Sequence, residues 1–124
     1  TYDELYRLAR LLIEAGWPAI VDASFLRRNQ RDRFRALADE ARAPFLVLDC
    51  HAEANELRRR VARREAAGSD ASEATLAVLE HQLETAEPVA ADERNYTLSI
   101  DTQRDDMQEV TKRVCARLGL GARE

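Results

Sequence analysis

At 124 residues the chain is long enough for one modest hydrophobic core and too short for two independent domains. A hydrophobic content of 45% fits a globular protein, and a net charge of −4 argues against both a basic nucleic-acid-binding surface and a disordered acidic tail. No apolar run approaches a membrane span and no signal-peptide pattern opens the chain, while Cys50 and Cys115 offer neither a disulfide framework nor a CxxC metal site, so a reducing cytoplasm is the expected setting.

Residues 2–15 open the chain with Leu5, Leu8, Leu12 and Ile13 at the spacing of an amphipathic helix, stopped at Gly16. After Pro18, "AIVDA" is too short for a helix and reads as a buried strand. Phe34, Leu37, Ala38 and Ala41 predict a second helix over about 29–42, closed off by Pro44. "FLVLD" at 45–49 is the next strand candidate, and a third helix covers 53–68, ending at Gly68. "GSDASEA" follows, with Asp70 and Glu73 in a capping arrangement ahead of a helix carrying Leu76, Leu79 and Leu83 and ended by Pro88. "TLSID" at 97–101 is a third strand, and Met107, Val110, Val114 and Leu118 mark a last helix. Strands alternating with helices imply parallel pairing, and unbroken apolar strands imply a sheet covered on both faces. Trp17 and the cysteines read as packing residues, and His51 and His81 as surface or packing residues without metal-ligand spacing.

Each strand candidate ends in an aspartate: Asp22, Asp49 and Asp101. Ligands of open parallel sheets bind outside the carboxyl ends of the strands, where these acids would gather. For Asp49 and Asp101, the turn and cap preference of aspartate is the simpler explanation. Positive charge is almost all arginine, Lys112 being the single lysine, which a GC-rich genome would explain as a count. Position says more. Arg27, Arg28 and Arg31 crowd a helix start, where they oppose the helix dipole unless an anion, or partners such as Asp32 or Glu40, offset them. Arg60 and Arg64 share one helix face at i, i+4; they face either an anionic ligand or solvent, paired with Glu53, Glu56 and Glu65.

The stretches "IVDASFLRRNQRDRFRALA" and "LRRRVARREAAGSDASEATLAVLEHQ" resemble the later part of P-loop small-molecule kinases. The likeness is to AAA-type predicted kinases sometimes fused to an aminoglycoside-phosphotransferase-like domain, and more distantly to gluconate kinases, zeta toxins and chloramphenicol phosphotransferases. It implies an α/β fold with a parallel, three-layer P-loop NTPase-like sheet, here with three strands and about five helices in one domain. It also implies ATP and magnesium as cofactors of the complete protein and transfer of a phosphoryl group to a hydroxyl of a small molecule. Carried over by residue, Asp22 would sit near magnesium or the acceptor hydroxyl, and Arg28 and Arg31 would face substrate or phosphate. Arg60 and Arg64 would be lid arginines on the nucleotide phosphates, in a lid of about 58–75 with Asp70 and Ser72 at its tip and Gln82 beyond. Asp101 and Thr102 would border the adenine pocket.

The departure from that pattern is large. A P-loop needs GxxxxGK[ST], and none of the four glycines, Gly16, Gly68, Gly119 and Gly121, stands in such a motif. The expectation is therefore a carboxy-terminal part lacking the first strands and the P-loop, negligibly active alone. An unfilled central strand would favour a homodimer or a swapped assembly. The competing expectation is a non-catalytic α/β domain that binds a protein partner or an anionic ligand through the same arginines.

Overall fold

The structure, a computed structural model, describes residues 1–68 and 75–121. Helices α1 (Tyr2–Glu14) and α2 (Arg28–Ala41) lead to strand β1 (Val47–His51), helices α3 (Ala54–Ala67) and α4 (Leu76–Thr85), a 3-10 segment (Ala91–Tyr96), strand β2 (Thr97–Asp101) and helix α5 (Met107–Arg117). All five expected helices are present, within a residue or two at each end. β1 and β2 pair in parallel, with Asp49 opposite Ser99 and His51 opposite Asp101. Among the described residues no helix is long and apolar enough to cross a membrane.

Two expectations need correction. "AIVDA" forms no strand: no backbone–backbone hydrogen bond among the described residues involves residues 18–24, and Ile20 is 95% exposed. An apolar run becomes a strand only when a neighbouring ladder takes its backbone groups, and none lies beside it. The sheet among the described residues accordingly has two strands, not three. The second correction is register. β1 begins two residues late because Phe45 and Leu46 pack into the core ahead of it, so Asp49 lies within the strand and only Asp101 ends one.

The core is divided in two. Ala9 of α1 and Phe34 and Leu37 of α2 form one cluster, joined by Tyr2, Tyr6, Val21, Phe25 and Phe45. Edge-on aromatic pairs hold it: Tyr2–Phe25 and Phe25–Phe34 at 5.3 Å, and Tyr6–Phe34 at 5.7 Å between ring centroids. Phe25 adopts a φ of 45°, unusual for a bulky side chain. Its amide accordingly donates to Tyr2 Oη at 3.0 Å, and its carbonyl accepts from Arg31. The second cluster packs Leu98 and Ile100 of β2 against Val110 and Val114 of α5. The opposite face of the sheet leaves His51 and Ser99 exposed, 2.9 Å apart through Nε2 and Oγ, so among the described residues the expected cover on both faces is not present.

Candidate functional site

The parallel pair brings His51 and Asp101, the carboxyl ends of its strands, side by side. The chain turns immediately after Asp101, and that turn is built by Asp101 itself: its Oδ1 accepts from the Gln103 amide at 2.9 Å and its Oδ2 from Arg104 at 3.0 Å. The backbone amide first, and the guanidinium second, hold the Asp101 carboxyl below its usual range. Thr102 ties the two strand ends together. Its amide and its hydroxyl both donate to the His51 carbonyl, at 2.9 and 3.0 Å. The same hydroxyl accepts from Arg60 Nη1 at 2.9 Å.

α3 is thereby held over the strand ends. Its N-cap Glu53 donates its amide to Gln103 at 2.7 Å and accepts from Arg104 at 2.8 Å through its carboxylate. Arg60 also donates to Glu56 at 3.2 Å, and this contact is the main cause of the lowered Glu56 pKa. Three residues singled out from the sequence, Arg60, Asp101 and Thr102, thus converge at one place. Arg64 lies one turn on, in a groove of about 190 Å³ between α3 and α4 that also includes Leu57, Arg60, Val61, Thr75, Leu79 and Gln82. A hollow on the outer face of α3, against Glu56, Arg59 and Arg63, is larger at about 390 Å³ but more open to solvent. The tip residues Asp70 and Ser72, and Glu73 with its capping arrangement, lie outside the described residues. Thr75 caps α4 instead, accepting from the Val78 amide at 3.2 Å.

The arginines at the start of α2 are answered by the chain's own carboxylates. Arg28 donates to both oxygens of Asp92, at 2.9 and 2.8 Å, and to Asp32 at 3.1 Å, and these partners raise its pKa. Arg31 is buried and directs all five of its N–H donors inward: two to Glu93, at 2.8 and 2.9 Å, and three to the carbonyls of Phe25, Glu87 and Pro88. Glu93 is fully buried, and the Arg31 contact holds its carboxyl below the usual range despite the opposing desolvation. No donor of Arg31 is left for a substrate, which corrects the expectation that it faces one. Glu40, the other partner suggested by sequence, pairs with Arg10. Asp92 and Glu93 escaped notice because the 3-10 segment carrying them has no helical or alternating pattern. The only local signal is the spacing that lets Glu93 reach back to the Ala90 amide at 3.1 Å.

Asp22 is exposed on the extended segment. No hydrogen bond or ion pair among the described residues joins it to an arginine. Both Asp49 and Asp22 add to the upward push that burial exerts on the Cys50 thiol. Among the described residues no group of three or more His, Cys, Asp or Glu could hold a metal ion.

A parallel α/β pair with a polar, arginine-bearing cluster at the carboxyl ends of its strands has the layout of a phosphate- or nucleotide-handling domain. The model of one family, described as "AAA domain", matches residues 1–89, and the chain belongs to that family of P-loop, nucleotide-binding, kinase-like domains. No curated protein and no solved structure matches the chain.

Proposed function

We propose that this chain is the carboxy-terminal part of an ATP-dependent small-molecule kinase, contributing the strand-end surface over which nucleotide and acceptor meet. The convergence of Arg60, Asp101 and Thr102 at the ends of two parallel strands carries this reading, and membership of a nucleotide-binding family supports it. Arg60 and Arg64 contact nucleotide phosphates, Asp101 and Thr102 border the base, and Arg28, the more accessible of the two α2 arginines, faces the acceptor. Arg31 pairs with Glu93, which Arg28 also approaches at 3.5 Å, and so holds the start of α2 in place.

Magnesium keeps most of its waters and takes only one or two protein carboxylates, and the exposed Asp22 is the carboxylate of this chain that would take that place. When bound, the ion would neutralise phosphate charge and orient phosphate oxygens. For ATP the fit is incomplete. The backbone cradle and lysine that hold the β- and γ-phosphates are not in this sequence, so the chain alone binds nucleotide weakly and transfers no phosphoryl group.

Calorimetric titration of ATP with magnesium into this chain, and into a longer version carrying a glycine-rich loop upstream, tests the reading. Tight binding confined to the longer version is the expected result. Absence of binding in both rejects the kinase reading and favours a non-catalytic domain that binds its ligand or partner through the arginines.

A further inference from the structure

α2 meets the 3-10 segment through a ladder of arginines. Arg28, Arg31 and Arg35 follow one another along the helix at the spacing of a single face, and opposite them stand Asp92, Glu93 and Tyr96. The first two rungs are ion pairs, Arg28 with Asp92 and Arg31 with Glu93. The third is not. The Arg35 guanidinium lies 4.2 Å from the centre of the Tyr96 ring, and among the described residues its side-chain donors meet no acceptor. Tyr96 itself is only 9% exposed, and its buried hydroxyl is also without a hydrogen-bond partner among the described residues. Such a hydroxyl gives up its hydration with nothing in return, and groups of this kind are rare enough in folded proteins that each calls for a reason.

We infer that Arg35 and Tyr96 form a binding site for a small oxyanion, a phosphate or carboxylate group, at the amino end of β2. The arginine supplies a planar fork of N–H donors, stacked on the ring and so partly ordered before a ligand arrives, and the phenol supplies an O–H. An oxyanion at the hydroxyl end of the ring lies within reach of both. Phe45 packs on the ring at 5.7 Å between centroids, and the Thr97 hydroxyl donates to the Glu93 carbonyl at 2.7 Å, so the ring and the segment that carries it are held. Arg35 is half-buried and bound to no acceptor, which leaves it free to shift along the ring and admit the ligand. Charge favours an anion here: Asp92 and Glu93 are taken up by the other two rungs, and Arg117 donates to the carbonyl of Asn95, the neighbour of Tyr96, at 2.8 Å. Because β1 and β2 run parallel, this end lies across the sheet from Asp101, and the site is separate from the strand-end surface proposed for nucleotide. It stands whether or not the kinase reading does.

The test is titration of the full chain with inorganic phosphate, with acetate and, at matched ionic strength, with chloride, followed by nuclear magnetic resonance through the amides of Tyr96 and Thr97. Phosphate or acetate should give a saturable shift and chloride none, and the tighter of the two separates a phosphate-bearing ligand from a carboxylate. Arg35→Gln should abolish the shift. Tyr96→Phe should weaken binding about tenfold, the worth of one hydrogen bond to a charged group. Without anion the same variant should melt no lower than the parent, because the hydroxyl it loses has no partner there. Shifts that fail to saturate, or that chloride reproduces, overturn the site. So does either variant binding as the parent does, or a Tyr96→Phe variant that melts lower without anion, since the hydroxyl would then have its partner within the chain.

Discussion

The Arg31–Glu93 pair illustrates what a sequence says about a single residue and what it withholds. Arginines against a helix dipole are a conflict that reads directly from "FLRRNQRDR", and the conflict is real. Its resolution lies 62 positions away in a carboxylate with no periodic signature, so a local reading left the choice open between a bound anion and nearer partners such as Asp32 or Glu40. Removing one member of a buried pair strands the other. Glu93→Ala should therefore cost about 3–5 kcal/mol of unfolding free energy, measured by urea denaturation, with a comparable loss for Arg31→Met. Arg31→Lys should not rescue, because an ammonium has three donors and cannot serve the five acceptors that the planar fork reaches. The same pair sets an acid response. Glu93 has a folded pKa below its unfolded value, so its contribution is present above the ordinary glutamate range and is lost as pH falls through the folded value. Unfolding free energy should decline with acid below about pH 4.3, the unfolded reference, and Glu93→Ala should flatten that decline. A variant as acid-sensitive as the parent would show that other carboxylates carry it.

Among the elements, the helices were legible, and so were two of the three strand candidates, "TLSID" in place and "FLVLD" two residues early, while "AIVDA" was not. The 3.6-residue stripe fixes α1, α2, α4 and α5 because the pattern and the burial it produces are local, whereas strand identity at 19–22 depends on a neighbour that the pattern cannot supply. α3 was read from its ends, since few of its positions are apolar and only Val61 is buried. Caps behave in the same local way. Asp106 accepts from the Gln108 amide at 2.9 Å and starts α5, as Thr75 starts α4. Asp106→Ala and Thr75→Ala should each cost about 1 kcal/mol, read as a lower midpoint in thermal circular dichroism. Their effects should differ in place. Asp106 supports the helix that covers Leu98 and Ile100, so its loss should speed amide exchange in β2, while loss of Thr75 should affect α4 and leave β2 protected. Equal exchange across both elements would mean that the two core clusters unfold as one unit.

For the whole molecule, the question is what covers the backbone and apolar surface left open. Among the described residues β1 pairs on one edge only and residues 18–24 on neither, with Ile20 95% and Trp17 67% exposed. Leu8, Leu11 and Leu12 of the preceding helix add apolar surface, each more than 40% exposed. Parallel pairing was readable from alternating elements, and the nucleotide-binding class from the resemblance of the stretches around the arginines to P-loop kinases. The division of the core was not, because it depends on which apolar faces find partners after folding. We propose that two copies associate through these surfaces, since unpaired strand edges are templates for another chain and large apolar patches favour contact. Sedimentation velocity should show association that grows with concentration. Ile20→Lys combined with Leu11→Lys should shift it toward monomer with a melting temperature nearly unchanged, because exposed positions contribute little to folding stability. Association that persists undiminished in the double variant would place the contact elsewhere, and a monomer at all concentrations in the parent chain would remove self-association altogether.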